Sequence, residues 1–252
     1  MSELYNHDTW LNPNIIYSFS HMIYEYDMKN AGYNLAKAYQ LLPEDTLSSL
    51  GRMKKERRTV EIGKLQMKNQ VLKESMQEAF KKARRMFFEA NMIEDGDVIS
   101  IKKDAIFLKR PCEHTTFLEY IDFRIKNTYT SYLRLQKRIE VYYQEDDMDI
   151  KGLGDAALEY HKDYLVSFLR QFCYFMETDT KENTIKWFRR FVDKYKQKEL
   201  PLGYYRRFQQ DAYFDILGDD SKYYEYWEDK VDEVDITFNY FNLLTYLAKI
   251  PL

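Results

Sequence analysis

Residues 95–110 read DGDVISIKKDAIFLKR. Two short β-type runs, 98–101 and 105–108, flank Lys102-Lys103-Asp104, a pattern that predicts a hairpin with Asp104 at its tip. Upstream, residues 52–91 carry apolar side chains such as Leu72, Met76, Phe80, Ala83 and Phe87 at spacings of three and four, which predicts a long helical stretch. Gly63 is its expected weak point, and Asn91 and Gly96 its expected end. Further upstream, residues 15–26 (IIYSFSHMIYEY) are aromatic and β-branched and predict one or two strands ending at Asp27. A helix over 30–42 follows, broken by Pro43.

The chain has 252 residues, 45% hydrophobic and 31% charged, with eight glycines and five prolines. That composition excludes a disordered protein and predicts a helix-rich globular one with short connections. No stretch approaches the ~18 consecutive apolar residues of a membrane span. The start MSELYNHDTW has no apolar leader core, so a cytoplasmic protein with no membrane partner is expected. Cys112 and Cys173 lack metal-ligand spacing and read as reduced, buried thiols.

Beyond the hairpin, residues 115–143 are read as helical, with a basic, tyrosine-rich face. The acidic, glycine-containing stretch 144–155 divides the chain into a domain 1–146 and a helical subdomain 147–252. The expected fold is therefore α+β but predominantly helical, a small antiparallel sheet covered by long helices. Charge is polarised. Residues 52–92 hold twelve basic and five acidic residues, a net of +7, whereas 211–235 hold ten acids against Lys222 and Lys230, a net of −8. The basic stretch has the sign to hold a triphosphate or a nucleic-acid backbone. The acidic segment predicts either a protein partner, such as a basic nucleic-acid enzyme, or neutralisation of the chain's own basic helix.

Dinucleotide, P-loop, zinc-protease and serine-hydrolase signatures are absent. What remains is a pair of carboxylates. Asp27 and Asp104, both at strand ends, are expected to face each other, and such a pair can hold Mg²⁺ ions for phosphoryl or nucleotidyl transfer.

The order strand–Asp27–helix, basic helices, hairpin–Asp104 resembles the palm and fingers of family B DNA polymerases. YEYDMKNAGY (24–33) looks like their first palm motif, and LSSLGRMKKERRTVEIGKLQMK (47–68) is similar to the basic fingers helix. Residues 74–110 resemble the helix and hairpin bearing the Asp-Thr-Asp-Ser signature. The resemblance implies that Asp27 and Asp104 are catalytic, metal-binding residues and that Tyr33 lies under the incoming sugar. It implies a nucleic-acid track of Arg57, Arg58, Lys64, Lys68, Lys81 and Arg84. Lys102 stands where the first signature aspartate belongs, so a degenerate palm kept for DNA binding is implied alongside an active one. Compact, A/T-biased sequences of this kind are carried by phages and mobile elements. The second expectation is a non-enzymatic interaction protein acting through its acidic, tyrosine-rich surface.

Overall fold

A computed structural model describes residues 3–135, 139–145, 147–152, 166–197 and 199–201, with three further short strands between 207 and 239. Two compact units emerge. The first comprises Met1–Ile15 and Met22–Thr128, the second Ile16–His21 and Tyr129–Leu252. The chain therefore enters the second unit briefly, returns to build the first, and then completes the second.

In chain order the elements are β1 (Thr9–Leu11), β2 (Tyr17–Ser18), β3 (Ile23–Met28), α1 (Ala31–Ala38), α2 (Glu44–Gly51), α3 (Lys55–Lys68) and α4 (Gln70–Ala90). Then come β4 (Val98–Lys102), β5 (Ala105–Leu108), β6 (Thr116–Phe117), β7 (Ile121–Tyr129), β8 (Ser131–Leu135), β9 (Ile139–Gln144) and β10 (Asp147–Lys151). Helices α5 (Ser167–Thr178) and α6 (Lys181–Lys196) follow, and then β11 (Arg207–Gln209), β12 (Ala212–Phe214) and β13 (Phe238–Asn239).

The first unit is a six-stranded sheet in the order β1-β4-β5-β3-β7-β6. One face packs on α4. Leu72, Met76, Ala79, Phe80, Ala83 and Phe87 recur with helical period and are all buried, and they meet Tyr26, Met28, Ile101, Ile106, Leu108 and Phe123 from the strands. Phe87 lies at the centre, stacked on Phe123 at 4.5 Å and tilted against Tyr26 at 5.2 Å. Truncating such a ring to alanine costs on the order of 3–5 kcal/mol. The helical stretch breaks at Asn69 rather than at Gly63. The Asn69 side chain accepts the Leu72 N–H at 3.1 Å and caps α4, while Gly63 sits inside α3.

The second unit holds a four-stranded sheet, β10-β9-β8-β2, and a separate three-stranded sheet, β12-β11-β13. Helices α5 and α6 pack through rings: Phe168 lies 4.5 Å from Phe191 and 5.7 Å from Trp187.

The expectation of a predominantly helical fold with one small sheet is thus corrected by antiparallel sheets of six and four strands. The main error lies in residues 115–143, expected to be helical. They form β6 through β9. Ile121, Asp122, Phe123 and Arg124 alternate inward and outward with period two, and Ile, Thr, Val and Tyr are frequent through the stretch, which is strand chemistry. Apart from β12 (Ala212–Phe214), the acidic segment 211–235 lies outside the described residues, as does most of the expected helix over 222–248. Within the latter, Phe238–Asn239 is a strand.

Candidate functional site

Asp27 and Asp104 arrive from elements far apart in sequence, and strand pairing brings them side by side. Strand β3 runs antiparallel to β5 with Asp27 opposite Ala105, the residue after Asp104. The Met28 N–H then donates to the Asp104 carbonyl at 3.1 Å. Alternation does the rest. Tyr26 and Met28 turn into the core, so Glu25 and Asp27 take the opposite face of the strand.

Asp27 is half-buried, and its carboxyl is held above the ordinary carboxylate range, first by burial and then by the nearby Asp104. Lys126 and Arg124 oppose the shift without cancelling it. The Arg124 guanidinium stands 4.0 Å from Asp27 Oδ2, and Lys126 Nζ lies 3.2 Å from Glu25 Oε1. Glu25 is almost fully buried and also accepts from Asn127 Nδ2 at 2.7 Å. One face of β3 thus presents Glu25 and Asp27 to cations of the neighbouring β7, Lys126 and Arg124.

The two aspartates lie at one wall of a cleft of about 370 Å³. The other wall is α3, which contributes Lys55, Arg58, Thr59, Ile62 and Gln66. These positions follow i, i+3, i+4, i+7 and i+11, a single stripe of the helix. Tyr33 enters from α1, and the Arg58 guanidinium lies over its ring, 4.8 Å from the centroid. The Tyr33 hydroxyl donates to the Leu47 carbonyl at 3.3 Å. It can come this close because residue 51 is glycine, where a Cβ would stand 2.8 Å from that hydroxyl.

Of the residues expected from sequence, Asp27, Asp104, Tyr33 and Arg58 therefore share one cleft. Arg57 and Lys68 are exposed on α3 and do not line it. Lys64 pairs with Glu61 at 2.8 Å and Lys81 with Glu78 at 2.6 Å, both on the solvent side of their helices. Arg84 is a correction. Expected on the nucleic-acid face, it is fully buried, because position 84 falls four residues after Phe80 on the apolar stripe of α4. Sequence reasoning passes over Lys55, Gln66, Arg124 and Lys126; the α3 spacing is the signal for the first two.

The hairpin turn has its own geometry. Lys103 adopts a φ of 59°, a left-handed conformation that costs a non-glycine residue roughly 1–2 kcal/mol. Its Nζ lies 5.4 Å from the Phe80 ring centroid. The two thiols offer no chemistry here: burial pushes Cys112 up to about 11 and Cys173 higher still.

Among the described residues no group of three or more His, Cys, Asp or Glu is arranged to hold a metal. An all-protein cage is thus not formed. Asp27, its proton affinity raised first by burial and then by Asp104, and Asp104 form a pair of neighbouring carboxylates at the cleft. Among the described residues no helix is long and apolar enough to cross a membrane.

No curated protein matches this sequence. A family model described as Bacteriophage PBS1 gene 130 protein matches residues 1–252, the whole chain, and the protein belongs to that phage family.

Proposed function

We propose that this phage protein is a nucleic-acid transaction protein whose cleft binds phosphate-bearing nucleotides or strands, in the manner of a pared-down family B DNA polymerase. The observation that carries the reading is the juxtaposition of Asp27 and Asp104 across one cleft from Lys55 and Arg58. Carboxylates at one wall and cations at the other suit a group that is anionic yet metal-bridged, which describes a nucleotide triphosphate. Asp27 and Asp104 would be the residues to hold a divalent ion, which would supply neutralisation of charge on the transferring phosphate. Lys55 and Arg58 would grip the trailing phosphates, and Tyr33, held by Arg58 and Leu47, would offer a ring edge beside the sugar. In the corresponding transfer a strand-terminal hydroxyl attacks the α-phosphorus, an O–P bond forms, and the bond to the β-phosphate oxygen breaks to release pyrophosphate. The hydroxyl proton would leave to water at the site, since a cation held by Asp27 and Asp104 would remove the repulsion that raises the Asp27 proton affinity.

The test is extension of a labelled primer–template with Mg²⁺ or Mn²⁺ and nucleotides, beside Asp27→Ala and Asp104→Ala. Incorporation lost in both variants supports the reading. Absence of incorporation under either metal, with no Mn²⁺ binding to the protein alone, overturns it.

A further inference from the structure

Arg84 is the largest fully buried side chain among the described residues, and it ties the turn that carries Asp104 to the N-terminal segment. Nη1 donates to the Lys103 carbonyl at 2.8 Å, Nη2 to Asp8 Oδ1 at 2.8 Å, and Nε to the Tyr5 carbonyl at 2.8 Å. Asp8 closes the ring, because its own carbonyl accepts the Lys103 N–H at 2.6 Å. The peptide groups on both sides of Lys103 are thus gripped, one by the core of α4 and one by the N-terminal segment. On the far side of the turn, the Asp104 carbonyl accepts from Met28.

A buried cation is an expensive way to hold a helix against a sheet. Apolar residues of similar volume often do so as well where no polar partner is left behind, whereas here the Tyr5 and Lys103 carbonyls would lose their donor. Lys103 adds a second oddity, since a left-handed φ at that position would suit glycine or asparagine. Strain of this kind persists only where the surroundings over-determine it. The two features share a purpose when the position of Asp104 matters more than the stability of its turn.

We propose that Arg84 is a positioning residue for Asp104: acting through Lys103 and tied to Asp8, it sets the height of the Asp104 carboxylate beside Asp27. Asp8 does not line the cleft. It is half-exposed, so it can be altered from outside the core. The inference rests on Asp104 as part of the cation site, and it predicts that a surface residue outside the cleft tunes that site.

The experiment compares the full-length protein with Asp8→Ala, Arg84→Met, Asp104→Ala and Leu72→Ala. The last removes core packing about three turns earlier on the same helix. Two quantities are read: Mn²⁺ affinity, by titration followed with electron paramagnetic resonance, and exchange protection of the Met28 amide, which reports the Asp104 carbonyl. Asp8→Ala is expected to weaken Mn²⁺ binding about tenfold and to lower Met28 protection by a similar factor. Leu72→Ala should leave Mn²⁺ binding unchanged and lower Met28 protection only as much as that of the other amides of the first unit, so protection is read relative to theirs. Unchanged relative Met28 protection in Asp8→Ala, or an equal relative loss in Leu72→Ala, overturns the positioning role. If the unaltered protein binds no Mn²⁺, the cation site falls instead, and Met28 protection alone decides whether the clamp holds the turn. Neither conclusion depends on Arg84→Met, so its failure to fold would leave both intact.

Discussion

Replacing Arg84 by Met keeps roughly the same length of apolar stem in the core of α4 and removes the three hydrogen bonds at 2.8 Å to Tyr5, Lys103 and Asp8. Each bond from a charged donor is worth about 1.5–3 kcal/mol. The Asp8 share is discounted because that carboxylate is 48% exposed and rehydrates readily. Relief from burying a guanidinium returns part of the remainder. The net loss expected is about 3 kcal/mol, a large part of the ~5–15 kcal/mol that holds a typical protein folded. In urea it lowers the midpoint by roughly 1 M. Hydrogen exchange over α4 and β4 across a urea series reads that midpoint for the first unit alone. A shift corresponding to less than about 1 kcal/mol would refute the reasoning, because desolvation would then cancel the bonds and the cation would hold nothing.

Other outcomes follow from the same site. Because burial and Asp104 raise the Asp27 pKa, the folded state binds more protons than the unfolded one between the ordinary carboxylate value and the raised one. Stability therefore falls as pH rises through that window and stays lower above it; Asp27→Asn is expected to stabilise the protein at pH 7 and flatten the profile, as urea melts across pH 3–8 would show. Arg58→Ala is expected to reduce the slope of log affinity for DNA against log salt by about 1, whereas Arg57→Ala leaves nucleotide binding in the cleft unchanged; fluorescence polarisation with DNA and with a nucleotide checks both. Gly51→Ala places a Cβ 2.8 Å from the Tyr33 hydroxyl and breaks its bond to Leu47, for a loss of about 1 kcal/mol that Tyr33→Phe should remove when the two are combined in thermal melts.

Strands β3, β4 and β5 of the first unit are legible in the sequence because their signals are local. β3 ends at a polar run, and β4 and β5 are separated by a two-residue turn, so the residue pattern alone puts Asp27 and Asp104 at strand ends. Which strands neighbour one another is a long-range choice, and β3 beside β5 is what sets the carboxylates together. Residues 121–143 mislead because their tyrosines and basic residues fit a helical stripe loosely while fitting alternation better. Arg84 misleads for a different reason. Its charge argues for solvent, its position argues for the core, and position prevails because Tyr5, Asp8 and Lys103 supply acceptors that no local pattern reveals. The placement of Arg124 and Lys126 beside Asp27 and Glu25 depends on β7 lying beside β3, again invisible from either segment alone.

The edge strand β1 has a consequence for how the chain comes off the ribosome. Thr9 pairs with Lys102, 93 residues later. At ~5–20 residues per second of synthesis, Thr9–Leu11 emerges on the order of 5–20 s before its partner exists. Through that interval the backbone N–H and C=O groups of Thr9–Leu11 lack the β4 partner they pair with in the finished sheet. Asp8, next to that strand and later the anchor of the Asp104 turn, gives the waiting segment a charge that discourages premature pairing with other chains. The residue that fixes the site in the finished protein is thus also placed to guard the segment during its synthesis.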